Sequence, residues 1–76
     1  MEKQLNLSSF LKGRRKSVKL TQESLAERSG VGLRFIRDIE QGKTNLRLDK
    51  INQVLDLFGH TMAPVATKSL KENENS

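Results

Sequence analysis

A chain of 76 residues with a net charge of +5 has room for one small domain, because a chain this short buries only about 60% of its unfolded surface. Hydrophobic residues make up 34%, with three Phe and no Trp or Tyr, so a lean core has to be filled by Phe, Leu, Ile and Val. Cysteine is absent, which excludes disulfides, thiolate nucleophiles and Cys-ligated metal; no apolar run approaches the ~20 residues of a membrane span, and no signal-like segment follows the start. The expectation is a soluble cytoplasmic protein with no membrane partner.

The charge is unevenly spread. Residues 1–19 carry Lys3, Lys12, Arg14, Arg15, Lys16 and Lys19 against Glu2 alone, a balance of +5, whereas from Leu20 onward eight basic and eight acidic side chains cancel. A basic N-terminal quarter suits a polyanionic partner such as nucleic acid; a solvated basic face without a partner is the alternative.

In chain order, Leu7, Phe10 and Leu11 at i, i+3 and i+4 predict a short amphipathic helix ending near Ser17, weakened at Gly13 by roughly 1 kcal/mol unless a neighbour needs the space. Thr21 is an N-cap for a second helix through Leu25, Ala26 and Arg28, with Glu23 in its first turn and Gly30 as a left-handed stop. Ala26 is a small residue suited to a close helix crossing, and Val31 reads as a core plug. A third helix follows from Leu33 to about Gln41, with Ile36 and Ile39 inward, Leu33, Arg34, Arg37 and Asp38 outward, and Phe35 on either side. Gly42 closes it, and Lys43-Thr44-Asn45 form a cationic loop. Leu48, Ile51, Val54, Leu55 and Phe58 predict the apolar stripe of a fourth helix stopped by Gly59, with His60 as a solvent-facing connector. The stretch 60–66 is mildly β-prone, but Pro64 limits it to an edge strand or an extended arm. The reading is all-α, four to five short helices, with a domain over residues 1–66, a possible short C-terminal strand and a disordered polar tail over 67–76. Thr21 to Gly42 has the spacing of a helix-turn-helix that offers its second helix to a DNA major groove.

The residues Leu20-Thr21-Gln22-Glu23-Ser24-Leu25-Ala26, Gly30-Val31-Gly32 and Ile36 through Glu40-Gln41-Gly42 resemble the lambda-repressor-like (Xre) helix-turn-helix family over roughly residues 7–59. Within it, Arg34-Phe35-Ile36, Ile39-Glu40-Gln41-Gly42-Lys43 and Leu46 to Lys50 resemble the HipB-type antitoxin branch, whose members repress their own operon as dimers and bind a HipA-type kinase toxin. The resemblance implies a sequence-specific repressor of double-stranded DNA with an inverted-repeat operator, a homodimer, a possible HipA-type kinase toxin partner and no cofactor. A stand-alone or phage-type repressor without a toxin, and a mainly protein-binding antitoxin module, are the alternatives.

Carried over by position, the resemblance puts Gln22, Gly32, Leu33, Arg34, Arg37 and Asp38 in the base-contacting set. Arg34 has the fork for a guanine edge and Leu33 the surface for a thymine methyl. The bland alternatives are an apolar staple for Leu33 and a surface ion pair with Asp38 or Glu40 for Arg37. Lys12, Arg14, Lys16, Lys19, Thr21, Lys43, Thr44 and Arg47 form the phosphate-contacting set, and Arg15 with Glu40 a structural salt bridge between the first and third helices. The chain departs from the family pattern at Lys19, where Gly is usual and a strained or differently shaped turn is expected, at Gly32, which lacks the common Ser or Thr, and at Pro64. One His, no Cys and carboxylates on solvated faces supply no nucleophile-base pair and no metal set, so neither catalytic residues nor a metal site is expected.

Overall fold

The Asn6 side-chain oxygen accepts a 2.9 Å hydrogen bond from the Ser9 amide and starts α1 (Leu7–Ser17); the Thr21 hydroxyl accepts from the Ser24 amide at 3.0 Å and starts α2 (Gln22–Ser29). Each cap satisfies a donor that the first helical turn leaves orphaned. The next two helices, α3 (Leu33–Glu40) and α4 (Leu48–Asp56), begin at Gly32 and Arg47 without a side-chain cap. The computed structural model describes residues 6–64, which hold these four helices and no strand.

All four helices run out into a residue in the left-handed region. At three ends that residue is glycine, Gly30, Gly42 and Gly59, and after α1 it is Lys19 with φ 60°. There the Leu20 amide donates to the Arg15 carbonyl and the Lys19 amide to the Lys16 carbonyl, both at 3.0 Å, the paired bonds of a Schellman ending. The strained turn expected at Lys19 is present, and its cause is a Cβ held where glycine would carry none.

The core is made where α3 packs against α1 and α2, and α2 against α4. Leu11, Leu25, Ala26, Ile36, Ile39, Ile51, Val54 and Leu55 are buried; Leu7, Phe10, Leu20, Val31, Leu33, Phe35, Leu46 and Phe58 pack partly buried around them. One element of the expected stripe is corrected: Leu48 is 54% exposed. It lies in the first turn of α4, and the position beside the core there is taken by Leu46 from the preceding loop. At Gly13 a Cβ would meet nothing within 4 Å, so no neighbour requires that glycine.

After α4, His60 is exposed, edge-on to Phe10 with ring centroids 4.8 Å apart, its Nδ1 donating to the Phe58 carbonyl at 2.8 Å. The Met62 amide donates to Asn52 Oδ1 at 2.7 Å, and residues 60–64 follow the surface without joining a strand. Residues 65–66 of the expected strand, the tail 67–76, Glu2 and Lys3 lie outside the described residues.

Lys19→Gly is expected to stabilise the protein by about 1 kcal/mol by relieving the left-handed backbone, and Gly13→Ala by a similar amount through helix propensity. Urea midpoints at unchanged m-value measure both, and a fall in either midpoint contradicts the backbone reading.

Candidate nucleic-acid interface

The candidate interface begins with a polar network on the inner side of α3. Arg15, on the same side of α1 as Leu11, donates from Nε to Glu40 Oε2 at 2.7 Å and from Nη2 to Glu40 Oε1 at 3.0 Å; its Nη1 donates to the Leu20 carbonyl at 2.9 Å. Gln22 Nε2 donates to Glu40 Oε1 at 3.1 Å, and the Ser8 hydroxyl to the Glu40 carbonyl at 2.7 Å. Glu40 is 5% exposed, and among the described residues no buried side-chain nitrogen or oxygen lacks a partner. Burial pushes the Glu40 carboxyl up, but hydrogen bonds from Arg15 and Gln22 and the charges of Arg15 and Lys12 outweigh it and hold the group below its ordinary value; the bond to Glu40 raises Arg15 in turn. This network joins α1, the turn after it, the start of α2 and the end of α3.

With its inner side sealed, α3 presents its other residues outward. Arg34 and Arg37 are exposed; Leu33 and Phe35 are half-buried against the core, which combines the staple reading of Leu33 with a partly open outer edge. Asp38 is half-buried, with Oδ1 3.7 Å from Arg34 Nε and 3.3 Å from Lys43 Nζ. Arg34, Arg37, Asp38, Gln41 and Lys43 line a shallow polar depression on this face. Arg37 takes part in none of the ion pairs among the described residues. Gly32 is exposed at the start of the helix, and Gln22 keeps one amide hydrogen beyond the one given to Glu40.

The basic residues divide by flank. Lys12 and Lys16 stand one turn apart on α1, and Lys12 is on the side that acts on Glu40. Arg14 lies two positions further round, its guanidinium 5.6 Å from the centre of the Phe10 ring, which places it on the His60 side. Lys19, Lys43 and Thr44 are exposed, and the Thr21 hydroxyl, already accepting from Ser24, keeps its own hydrogen to donate. Arg47 is held in a two-pronged contact with Asp49 at 3.1 and 2.7 Å, whose hydrogen bonds put the Asp49 carboxyl below its ordinary range; a phosphate at Arg47 has to compete with that carboxylate. The structure thus gathers Gln22, Arg34, Arg37, Asp38 and Lys43 around α3 and sets Arg14 apart.

Sequence reasoning passed over Ser8, Gln53 and Asn6. Ser8 shares the Leu11–Arg15 side of α1, where a short polar side chain on a largely apolar side signals a buried partner; Gln53 Nε2 donates to the Ser29 carbonyl at 2.8 Å and ties the end of α2 to α4. Among the described residues no cluster of His, Cys, Asp or Glu has the size of a metal site, and no helix is long and apolar enough to cross a membrane.

Two short helices joined across Gly30-Val31-Gly32, the second turned outward with basic side chains, define a helix-turn-helix protein. The Helix-turn-helix family model matches residues 11–63, and the chain belongs to that family. It is 49% identical over 45 residues to an uncharacterized HTH-type transcriptional regulator, y4mF, of Sinorhizobium fredii (strain NBRC 101917 / NGR234). The match covers 59% of this chain and 59% of that relative.

Glu40→Gln is expected to cost about 3 kcal/mol near neutral pH, because it leaves the guanidinium of Arg15 largely buried and uncompensated. Folding lowers the Glu40 pKa, so its stabilisation is complete above the ordinary value of 4.5 and is lost as pH falls through the lower native value. Urea titrations of both proteins from neutral to acid pH should show the gap between them closing below pH 4.5. A gap that stays constant into strong acid contradicts an ionised Glu40 in the native state.

Proposed function

We propose that this protein is a sequence-specific, double-stranded-DNA-binding transcriptional repressor of the cytoplasm, acting as a homodimer on an inverted repeat. The observation that carries this reading is the division of α3 into a face sealed by Ile36, Ile39 and Glu40 and an exposed face bearing Arg34 and Arg37. Membership of the Helix-turn-helix family and the likeness to an HTH-type transcriptional regulator support it.

In this reading α3 enters the major groove. Arg34 donates its terminal nitrogens to a guanine edge, Leu33 meets a thymine methyl, and Arg37, Asp38, Gln22 and the Gly32 backbone complete the base-facing set. Lys12, Lys16, Lys19, Thr21, Lys43 and Thr44 hold the flanking phosphates, with smaller shares for Arg14, beside Phe10, and for Arg47, which Asp49 already engages. The finer reading, an autoregulating HipB-type antitoxin with a HipA-type kinase toxin as partner, is supported by the resemblance of Arg34 to Lys50 to that branch; a kinase-like reading frame beside the gene favours it, and its absence favours a stand-alone repressor.

Binding to the preferred duplex should weaken steeply with salt, and scrambling the inverted repeat should remove the preference; affinity unchanged by scrambling refutes the repressor reading. Arg34→Ala should relax base choice at one position per half-site, whereas Lys43→Ala should weaken binding evenly across sequences and lower the salt slope. Gel filtration should give a dimer at micromolar concentration, and a strict monomer there contradicts the two-half-site arrangement.

A further inference from the structure

A carboxylate in the middle of the face proposed to meet DNA is electrostatically out of place, since phosphates repel it. Asp38 is nonetheless fixed there. Its side chain is 21% exposed, whereas that of Arg34, one turn back on the helix, is 81% exposed. The same Oδ1 stands 3.7 Å from Arg34 Nε, one turn back, and 3.3 Å from Lys43 Nζ. The Lys43 contact is built into the helix ending: Gly42 with φ 83° turns the chain so that the Lys43 amide donates to the Asp38 carbonyl at 3.1 Å. The ion pair engages Arg34 through Nε and not through its terminal nitrogens, which are the pair a guanine edge accepts.

We propose that Asp38 is a specificity-determining residue that orients Arg34 and restrains Lys43, lowering affinity for duplex DNA in general while sharpening the choice of a G·C pair beneath Arg34. The inference rests on the DNA-binding reading above. Without Asp38, two flexible cations on this face are free to settle on any phosphate, and attraction to phosphate carries no sequence information. With it, part of their charge is neutralised and a phosphate must compete with the carboxylate. The Arg34 fork is then held where only one base edge satisfies both terminal nitrogens. Ion pairs whose cations are this open to water, 81% exposed for Arg34 and 51% for Lys43, add little to folding stability, so their effect is expected in recognition.

The test uses the full chain. A preferred duplex is selected from a randomised pool with the unaltered protein, and affinities for it and for a random-sequence duplex are measured over a range of salt with the unaltered protein, Asp38→Asn and Asp38→Glu. Asp38→Asn is expected to bind the random duplex more tightly with a salt slope steeper by about 1, while its preference falls about five- to tenfold. Asp38→Glu, which keeps the charge, should retain most of the preference, and thermal melts of all three should agree closely. An undiminished preference in Asp38→Asn overturns the inference while leaving the DNA-binding reading standing. So does a uniform loss of binding to both duplexes, because a merely structural role leaves their ratio unchanged. Unaltered protein that shows no salt-dependent duplex binding overturns the DNA-binding reading and this inference with it.

Discussion

The two-pronged bond from Arg15 to Glu40 is the constraint on which the rest of the molecule depends. The buried apolar core among the described residues consists of eight side chains, one of them alanine, and by itself specifies helix packing only loosely. Glu40 adds what apolar contacts lack, which is direction. Its carboxylate accepts from α1 and from the first residue of α2, its backbone carbonyl from Ser8, and Arg15 reaches on to the Leu20 carbonyl in the turn between α1 and α2. A shift of α3 along its own axis by one turn would break these bonds together. Replacing such a buried pair with matched apolar residues can leave stability unchanged, whereas removing one partner is severe, so the value of the pair here lies in fixing the register of α3 more than in net free energy.

That fixed register governs what the positive charge can do. Formally the excess charge sits in the first 19 residues, but Arg15 is committed to Glu40, and Arg14 rests against Phe10 on the other flank. Lys12, Lys16 and Lys19 are the exposed basic side chains left among the described residues of that stretch. On α3 and its following loop, Asp38 partly neutralises Arg34 and Lys43. Long-range attraction to a polyanion therefore falls mainly to lysines of α1 and the turn after it, whose ammonium groups act as point charges, while the outer face of α3 carries arginines, whose planar forks favour directional contacts.

Much of this was legible in the sequence because helix starts and stops are local chemistry. Thr21, Gly30, Gly42 and Gly59 mark boundaries through their own backbone or hydroxyl preferences, and the Ile36/Ile39 spacing assigns the inner side of α3 without knowledge of its neighbours. Leu48 misled for the converse reason: periodicity defines a stripe, but whether the first turn of a helix lies over the core depends on what else reaches that place, here Leu46. Ion partners were legible only in part. The link between Arg15 and Glu40 came from family resemblance, since nothing local connects residues 25 apart. The joint hold of Asp38 on Arg34 and Lys43 depends on the Gly42 turn folding the chain back, a geometry that a linear reading of charges does not contain.

Under the proposed function, the size of α3 sets the remaining requirement. Eight helical residues span about 12 Å, comparable with the width of the major groove, so one copy touches only a few base edges. If each well-made contact discriminates by about 1–3 kcal/mol, a single α3 separates its site from the bulk of competing sequence poorly. Lengthening the helix would not help, because the Gly42 turn and the Glu40 network end it where α1 and α2 need it to end. The discrimination a repressor needs then has to come from repetition, with two copies of one short, firmly held helix reading two half-sites. A rigid register within each copy is what makes their spacing meaningful, since a loosely seated α3 would tolerate half-sites at several separations. The polar network that the small core requires for its own order thus also supplies the mechanical precision that paired recognition demands.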